Sequence, residues 1–150
     1  RLDMSEVVEA ALARAARRGP NITFHTSLEP VPILGDASTL ERAITNLLDN
    51  AVKFSPSDGE IWVELTSAGV LTIIDSGPGV ADEDLPHIFD RFYRSDRARN
   101  PPGTGLGLAI VTHTVEAHGG SVRAGNQPGA GAKFTMRLPV LTIPESPLSP

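Results

Sequence analysis

The sequence predicts an α/β protein built as a sandwich, with helices packed on one face of a mixed sheet. Three observations lead there. Apolar residues recur at helical spacing near residues 3–18 and 38–54, and again after a glycine-rich loop near 106–117. Short β-branched runs lie between these segments and come in pairs, separated by Gly, Pro and Asp-Gly turns. The resulting order, α, β-β, α, β-β, long loop, α, β-β, leaves the helices one sheet face to cover. At 150 residues the chain has the length of one domain with a sizeable core.

Each element has a local cause. Asp3 and Glu6 have capping-box spacing, and Met4, Val7, Val8, Ala11, Leu12 and Ala15 form the apolar stripe of a helix from Asp3 to Arg18. Arg17 and Arg18 suit its negative C-terminal end, and Gly19-Pro20 stops it. Asn21 to Leu28 reads as a strand, joined by a hairpin through Glu29-Pro30 to a short strand around Val31 to Leu34. Ser38-Thr39-Leu40-Glu41 is a capping box opening a second helix, which Ser55-Pro56 stops after Phe54. Its apolar face is broad: Leu40, Ala43, Ile44, Leu47, Leu48, Ala51 and Phe54.

Asp58-Gly59 marks a turn, Ile61, Val63 and Leu65 alternate along Glu60 to Thr66, and Ala68-Gly69 returns the chain through Val70 to Ile74 as an antiparallel hairpin. Residues 75–105 are rich in Gly, Pro and charge, with one or two helical turns near Asp82 to Phe89. A loop this long inside a domain is functional or mobile. A helix from Leu106 to Ala117, closed by Gly119-Gly120, precedes strands near Ser121 to Gly125 and Ala132 to Leu138. The domain is expected to cover residues 1–140, with a flexible tail over 141–150. Because the strands come as hairpins, a doubly wound βαβ arrangement is not expected.

Composition excludes several classes. Apolar residues at 40% and charged residues at 21% are ordinary for a globular domain. A net charge of −5 argues against a nucleic-acid or anionic-membrane partner. The absence of cysteine rules out disulfides and thiolate metal sites and suits a cytosolic setting. No apolar run nears the roughly 18 residues of a membrane span. The start at Arg1-Leu2-Asp3 is neither methionine nor a signal peptide, so the chain is expected to be part of a longer protein.

Three motifs carry chemistry. Asn46, Asn50 and Lys53 stand at i, i+4 and i+7 on the second helix, on a face distinct from the apolar one. Amide oxygens suit hard Mg²⁺ and the ammonium suits a phosphoryl oxygen, although a merely solvated face would look the same. Asp75-Ser76-Gly77-Pro78-Gly79 directly follows an apolar strand. Its glycines allow close backbone approach to a ligand, and its aspartate could accept a hydrogen bond from an exocyclic amine. Gly103-Thr104-Gly105-Leu106-Gly107-Leu108 precedes a helix, whose free N–H groups make an anion site. It is neither a P-loop, since it lacks the Gly-Lys-Ser/Thr ending, nor a dinucleotide fingerprint, since Ile110 replaces the last glycine.

In this order and spacing the motifs resemble the ATP-binding domain shared by histidine kinases, type II topoisomerases, Hsp90 chaperones and MutL-type repair proteins, the GHKL superfamily. Asn46 to Ser55 looks like its N box, Asp75 to Gly79 like its G1 box, Phe89-Asp90-Arg91-Phe92-Tyr93-Arg94 like its F box and Gly103 to Gly107 like its G2 box. The composition and the first residues are similar to those of actinobacterial kinases. The resemblance implies the two-layer Bergerat fold with a mixed five-stranded sheet, with ATP and Mg²⁺ as ligands and an ATP lid over about residues 80–104.

It further implies that Asp75 binds the adenine amine, with Gly77 and Gly79 shaping that pocket. Asn50 would ligate Mg²⁺, with Asn46 in or near its coordination shell. Lys53 and Tyr93 would lie along the phosphates or ribose. Gly103, Thr104, Gly105 and Gly107 would form the phosphate loop, with Leu106 and Leu108 packing beneath. Of the lid arginines Arg91, Arg94, Arg97 and Arg99, either Arg91 or Arg94 would reach the γ-phosphate. Phe89 and Phe92 would anchor the lid or form a docking surface.

The ATP-hydrolysing members carry a water-activating glutamate where Asn46 stands, and an amide cannot accept that proton. The resemblance therefore favours a histidine kinase over an ATPase clamp of the topoisomerase or Hsp90 kind, or a non-catalytic nucleotide-binding module. None of His25, His87, His113 and His118 has a kinase acceptor's surroundings, so all four are expected to be structural or solvated. The implied partners are a helical dimerisation and phospho-acceptor domain of the same protein and a response regulator's receiver domain. The isolated domain would be monomeric, and the full protein dimeric and membrane-anchored with this domain in the cytoplasm.

Overall fold

A computed structural model describes residues 1–90 and 106–141, the side chains of Leu106 and Gly107 excepted. Among these residues the chain forms β1 (Leu2–Asp3), α1 (Met4–Arg18), β2 (Thr23–Leu28), β3 (Pro32–Ile33), α2 (Ala37–Phe54), β4 (Glu60–Leu65), β5 (Val70–Ile74), α3 (Leu106–Ala117), β6 (Ser121–Asn126) and β7 (Ala132–Arg137). Five strands form one mixed sheet in the order β2-β4-β5-β7-β6, as expected, and β1 and β3 form a small separate pair.

The period-2 pattern decides what faces the helices. Ile61, Val63 and Leu65 of β4, Leu71 and Ile73 of β5, and Phe134 and Met136 of β7 are all buried. They meet Met4, Val8 and Ala11 of α1, Leu40, Ile44, Leu47 and Leu48 of α2, and Val111 and Val115 of α3 in one core. Each large apolar side chain fully buried there stabilises the fold by roughly 1.5–3 kcal/mol. Glu60, Trp62 and Glu64 alternate to the opposite, exposed side of β4.

Helix α2 lies between α1 and α3. Helix α1 runs alongside it in the same direction, because Arg14 pairs with Glu41 at 3.2 Å and, one turn on, Arg18 pairs with Asp49. Helix α3 runs the other way. Its C-terminal His118 accepts the Asp36 N–H on Nε2 at 3.1 Å, while Nδ1 faces the Thr114 carbonyl at 2.7 Å. Donation from Nδ1–H to Thr114 leaves Nε2 as the acceptor Asp36 requires, so the pair of bonds selects one neutral tautomer. The expectation of a structural histidine holds for His118; His25 stacks on Trp62 and contacts Glu60, and His87 contacts Asp90.

Several expectations need correction. Thr23–Leu28 does not form a hairpin with the next strand; it pairs in parallel with β4, from Thr23↔Glu60 to Leu28↔Leu65. The segment β2-α2-β4 is therefore a βαβ crossover, which the hairpin reading had excluded. Pro30 and Pro32 lack the N–H donors a hairpin ladder needs, and β3 turns instead to β1 through Leu2↔Ile33 and Asp3↔Pro32. Helix α2 is capped by Asp36, not Ser38: the Asp36 carboxylate accepts the Ser38 N–H at 3.1 Å. Asp3 does cap α1, accepting Ser5 N–H at 3.0 Å, and its carboxylate also accepts the Val31 N–H at 3.0 Å. That Val31 bond, with help from Ser5, holds the Asp3 carboxyl below the usual range. Residues 82–89 form successive hydrogen-bonded turns, such as Asp84 N–H to Ala81 and His87 N–H to Asp84, and no regular helix.

Candidate functional site

Because α2 and α3 are antiparallel, the tether between Asp36 and His118 puts the C-terminal half of α2 beside the start of α3. Asn46, Asn50 and Lys53 occupy that half of α2. Asn46 and Asn50 are half-buried and Lys53 is exposed, its ammonium 5.4 Å from the centre of the Phe54 ring. No side-chain hydrogen bond to a described residue engages the Asn50 amide. The three residues therefore line one partly open helix face, as their spacing predicts.

The Asp75–Gly79 loop is built against the same helix end. Ser55, the α2 C-cap, accepts the Ser76 N–H on its Oγ at 3.2 Å, and Ser76 Oγ accepts the Glu60 N–H at 3.0 Å. Gly77 has no room for a side chain: a Cβ there would lie 2.3 Å from the Phe54 carbonyl oxygen. Gly79 has φ +81°, a conformation that only glycine adopts readily.

Asp75 directly follows β5 and is 1% exposed. Its Oδ1 accepts Gly77 N–H at 3.0 Å and Ala132 N–H at 2.9 Å. Its backbone is held too, with its N–H on the Ala132 carbonyl at 3.0 Å and its own carbonyl accepting Gly131 N–H at 2.9 Å. Oδ2 takes no hydrogen bond from a described residue and is left for an incoming donor. Burial pushes the carboxyl above its usual range, outweighing the two N–H donors that act the other way.

The structure thus brings together Asn46, Asn50, Lys53, Asp75, Gly77, Gly79 and the start of α3. Leu106 and Gly107 open α3, and Leu108 packs half-buried against the core. Phe89 is also half-buried and meets Phe134 edge-on, with ring centroids 6.0 Å apart. Arg91, Phe92, Tyr93, Arg94, Arg97, Arg99, Gly103, Thr104 and Gly105 lie outside the described residues.

Sequence reasoning missed three participants. Ser55 was read as a helix stop and as the last residue of the N box, with no contact to the Asp75 loop, and Asn126 and Gly131 fell in the connection between the last two strands. Yet a Cβ on Gly131 would lie 2.1 Å from Asp75 Oδ1. The one available signal was that Asn126-Gln-Pro-Gly-Ala-Gly holds more glycine than a reverse turn requires.

The family described as histidine kinase-, DNA gyrase B-, and HSP90-like ATPase matches residues 35–142. The chain belongs to this family. As a whole, this ATPase-family domain is 42% identical over 154 residues to the signal transduction histidine-protein kinase/phosphatase MprB of Mycolicibacterium smegmatis, covering 96% of the chain and 31% of that relative. It therefore spans under a third of the curated relative's length. Among solved structures it superposes on the mycobacterial sensor histidine kinase MprB with a TM-score of 0.87 and 39% identity, covering 95% of this chain and 99% of that one. The ATP binding domain of PrrB from Mycobacterium tuberculosis superposes with a TM-score of 0.68 and 30% identity, covering 94% and 96%. The Bergerat-type sandwich and kinship to histidine kinase ATP-binding domains follow directly. PrrB, through its ATP binding domain, is one such relative and MprB another.

Proposed function

We propose that this domain binds Mg²⁺-ATP and transfers the γ-phosphoryl group to a histidine on a separate helical dimerisation domain of the same protein. The observation that carries this reading is the convergence of the Asn46-Asn50-Lys53 face, the Asp75 loop and the start of α3 at one end of the helical layer. Asp75 Oδ2 would accept the adenine amino group, and Gly77 and Gly79 let backbone lie where side chains would obstruct the base. Gly103 to Gly107 would present N–H groups to the phosphates. Lys53 and Tyr93 would flank them, and Arg91 or Arg94 would reach the γ-phosphate.

The donors suit Mg²⁺ in one particular way. Among the described residues there is no cluster of three His, Asp or Glu side chains that could cage a metal ion. Asn50, with Asn46 near it, offers amide oxygens, which fits an ion that takes most of its remaining ligands from phosphate and water. Bound there, Mg²⁺ would neutralise phosphate charge. Asp49, next to Asn50, is paired with Arg18 and turned to α1.

In the reaction, an imidazole nitrogen attacks the γ-phosphorus, the bond to the β-phosphate oxygen breaks, and ADP leaves. An imidazole with a free lone pair needs no base to activate it, and Asn46 supplies none. This is the feature that separates transfer to histidine from hydrolysis of ATP. The phosphoryl group would pass on to an aspartate of a response regulator, and the whole protein would be a membrane-anchored dimer with this domain in the cytoplasm.

The test mixes this domain with a purified acceptor domain and γ-labelled ATP, for wild type, Asn50→Ala and Asp75→Ala. Labelling by wild type alone is expected. Equal labelling in all three overturns the site, and no labelling by an ATP-binding wild type overturns the reaction.

A further inference from the structure

Asn126 ends β6 opposite Ala132, in a part of the chain to which none of the sequence motifs extends. Its side-chain amide grips the main chain of another segment at two points. Oδ1 accepts the Val80 N–H at 2.8 Å, and Nδ2 donates to the Val80 carbonyl at 2.8 Å. An amide is the one small side chain that can donate and accept side by side in this way, so it continues the β6 ladder by imitating a peptide group. The residue is exposed, so it does not serve the core.

The point it grips has leverage. Val80 follows Gly79, whose φ of +81° turns the chain out of the Asp75 loop. The contact is close: a Cβ on Gly79 would lie 2.6 Å from Asn126 Oδ1. On the neighbouring strand, Ala132 N–H donates to Asp75 Oδ1 and Gly131 N–H to the Asp75 carbonyl. One end of the β6–β7 hairpin therefore holds both the aspartate and the exit of its loop, while Ser55 holds the loop's middle from α2. With Asn126 removed, the exit would keep neither of these two bonds.

We infer that Asn126 is a positioning residue for nucleotide binding, fixing the backbone at Gly79–Val80 beside the carboxylate that receives the base. This inference rests on the proposed ATP-binding function. It predicts an effect on ground-state affinity, since the amide is placed at the loop beside Asp75 and not at the phosphoryl group.

The test compares wild type with Asn126→Ala, which removes both bonds, and Asn126→Asp, which keeps the acceptor but sets an oxygen against the Val80 carbonyl. ADP affinity is measured by calorimetry, melting by circular dichroism, and KM and kcat by phosphorylation of a separately supplied acceptor domain. Two lost hydrogen bonds of ordinary net strength correspond to about tenfold weaker ADP binding in the alanine variant. The aspartate variant is expected to lose at least as much. KM for ATP should rise by the same factor while kcat stays within about twofold, a split that general destabilisation would not produce. Wild-type ADP binding with unchanged affinity in both folded variants overturns this inference alone. Loss of cooperative melting in both variants also overturns it, because the residue would then hold the fold and not the loop. Absence of ADP binding by wild type overturns the proposed function and this inference with it.

Discussion

Gly131 faces Asp75 so closely that a Cβ on it would lie 2.1 Å from the carboxylate Oδ1 and 2.7 Å from the Gly77 nitrogen. The glycine is required by this approach, since its φ lies outside the left-handed range where the backbone alone would demand it. Gly131→Ala must therefore displace both the aspartate and its loop. Overpacking of this kind is expected to destabilise the domain by about 1–3 kcal/mol and to weaken ADP binding by about tenfold or more. Thermal melting and calorimetry check both. An alanine variant with wild-type melting and affinity would mean that the hairpin end is not packed on Asp75 as described.

Asp75 supplies a prediction whose sign is opposite for stability and binding. Burial raises its carboxyl above the ordinary carboxyl value of 3.8, so the folded state disfavours the ionised form. The resulting penalty is absent below pH 3.8, develops as pH rises through the folded value, and is constant above it. Asp75→Asn keeps an Oδ1 acceptor for Gly77 and Ala132 and removes the charge. It should melt at or above the wild-type temperature at neutral pH, with the difference shrinking towards pH 3.5 or so. Its NH₂ would oppose the adenine amine, so ADP affinity should fall by about a hundredfold. A variant that melts well below wild type at neutral pH would refute the burial argument.

Wild-type nucleotide binding should carry the same group's signature. A donor bonded to Asp75 Oδ2 favours the carboxylate, so affinity should decline as pH falls through the free domain's Asp75 value. This slope should be missing in Asp75→Asn. Calorimetry of ADP binding across the acidic range reads it directly, and equal slopes in the two proteins would remove Asp75 from the base site.

Asn50→Ala separates the metal from the base. Its Mg²⁺-dependent ATP affinity and phosphoryl transfer should fall by more than the roughly 10- to 100-fold typical of groups that only orient a metal ligand. Binding of adenosine without metal should be unchanged. Equal losses with and without Mg²⁺ would place Asn50 outside the metal's coordination.

His118 makes the contrasting case, a histidine that serves packing. His118→Ala removes the acceptor for Asp36 N–H and the bond to Thr114 at the end of α3 remote from Leu106. A loss of about 1–2 kcal/mol, or roughly 2–8 °C in melting temperature, is expected, with ADP affinity within twofold of wild type. A larger effect on affinity than on melting would give this tether a functional part.

Local chemistry made most of the elements readable. The stripe from Leu40 to Ala51, the alternation of Ile61, Val63 and Leu65, and the glycine after Ala68 each act over a few residues, and each element formed where that pattern lies. The Asn46-Asn50-Lys53 face was legible for the same reason, because helical spacing alone places those residues together. The β2–β3 hairpin misled, since strand pairing partners are chosen by what a crossover brings alongside, and here α2 carries the chain to β4.

By itself the sequence determined the helices, the β4–β5 hairpin, the motifs and the presence of an amide, not a carboxylate, at Asn46. Tertiary structure alone decided that α2 and α3 run antiparallel, which sets one motif against the next, and that the β6–β7 turn supports Asp75. Those relationships join residues as far apart as Asp75 and Ala132 or Asp36 and His118. Residue spacing reports geometry only along one continuous helix or strand; contacts across the chain depend on the packing of whole elements, which no local pattern records.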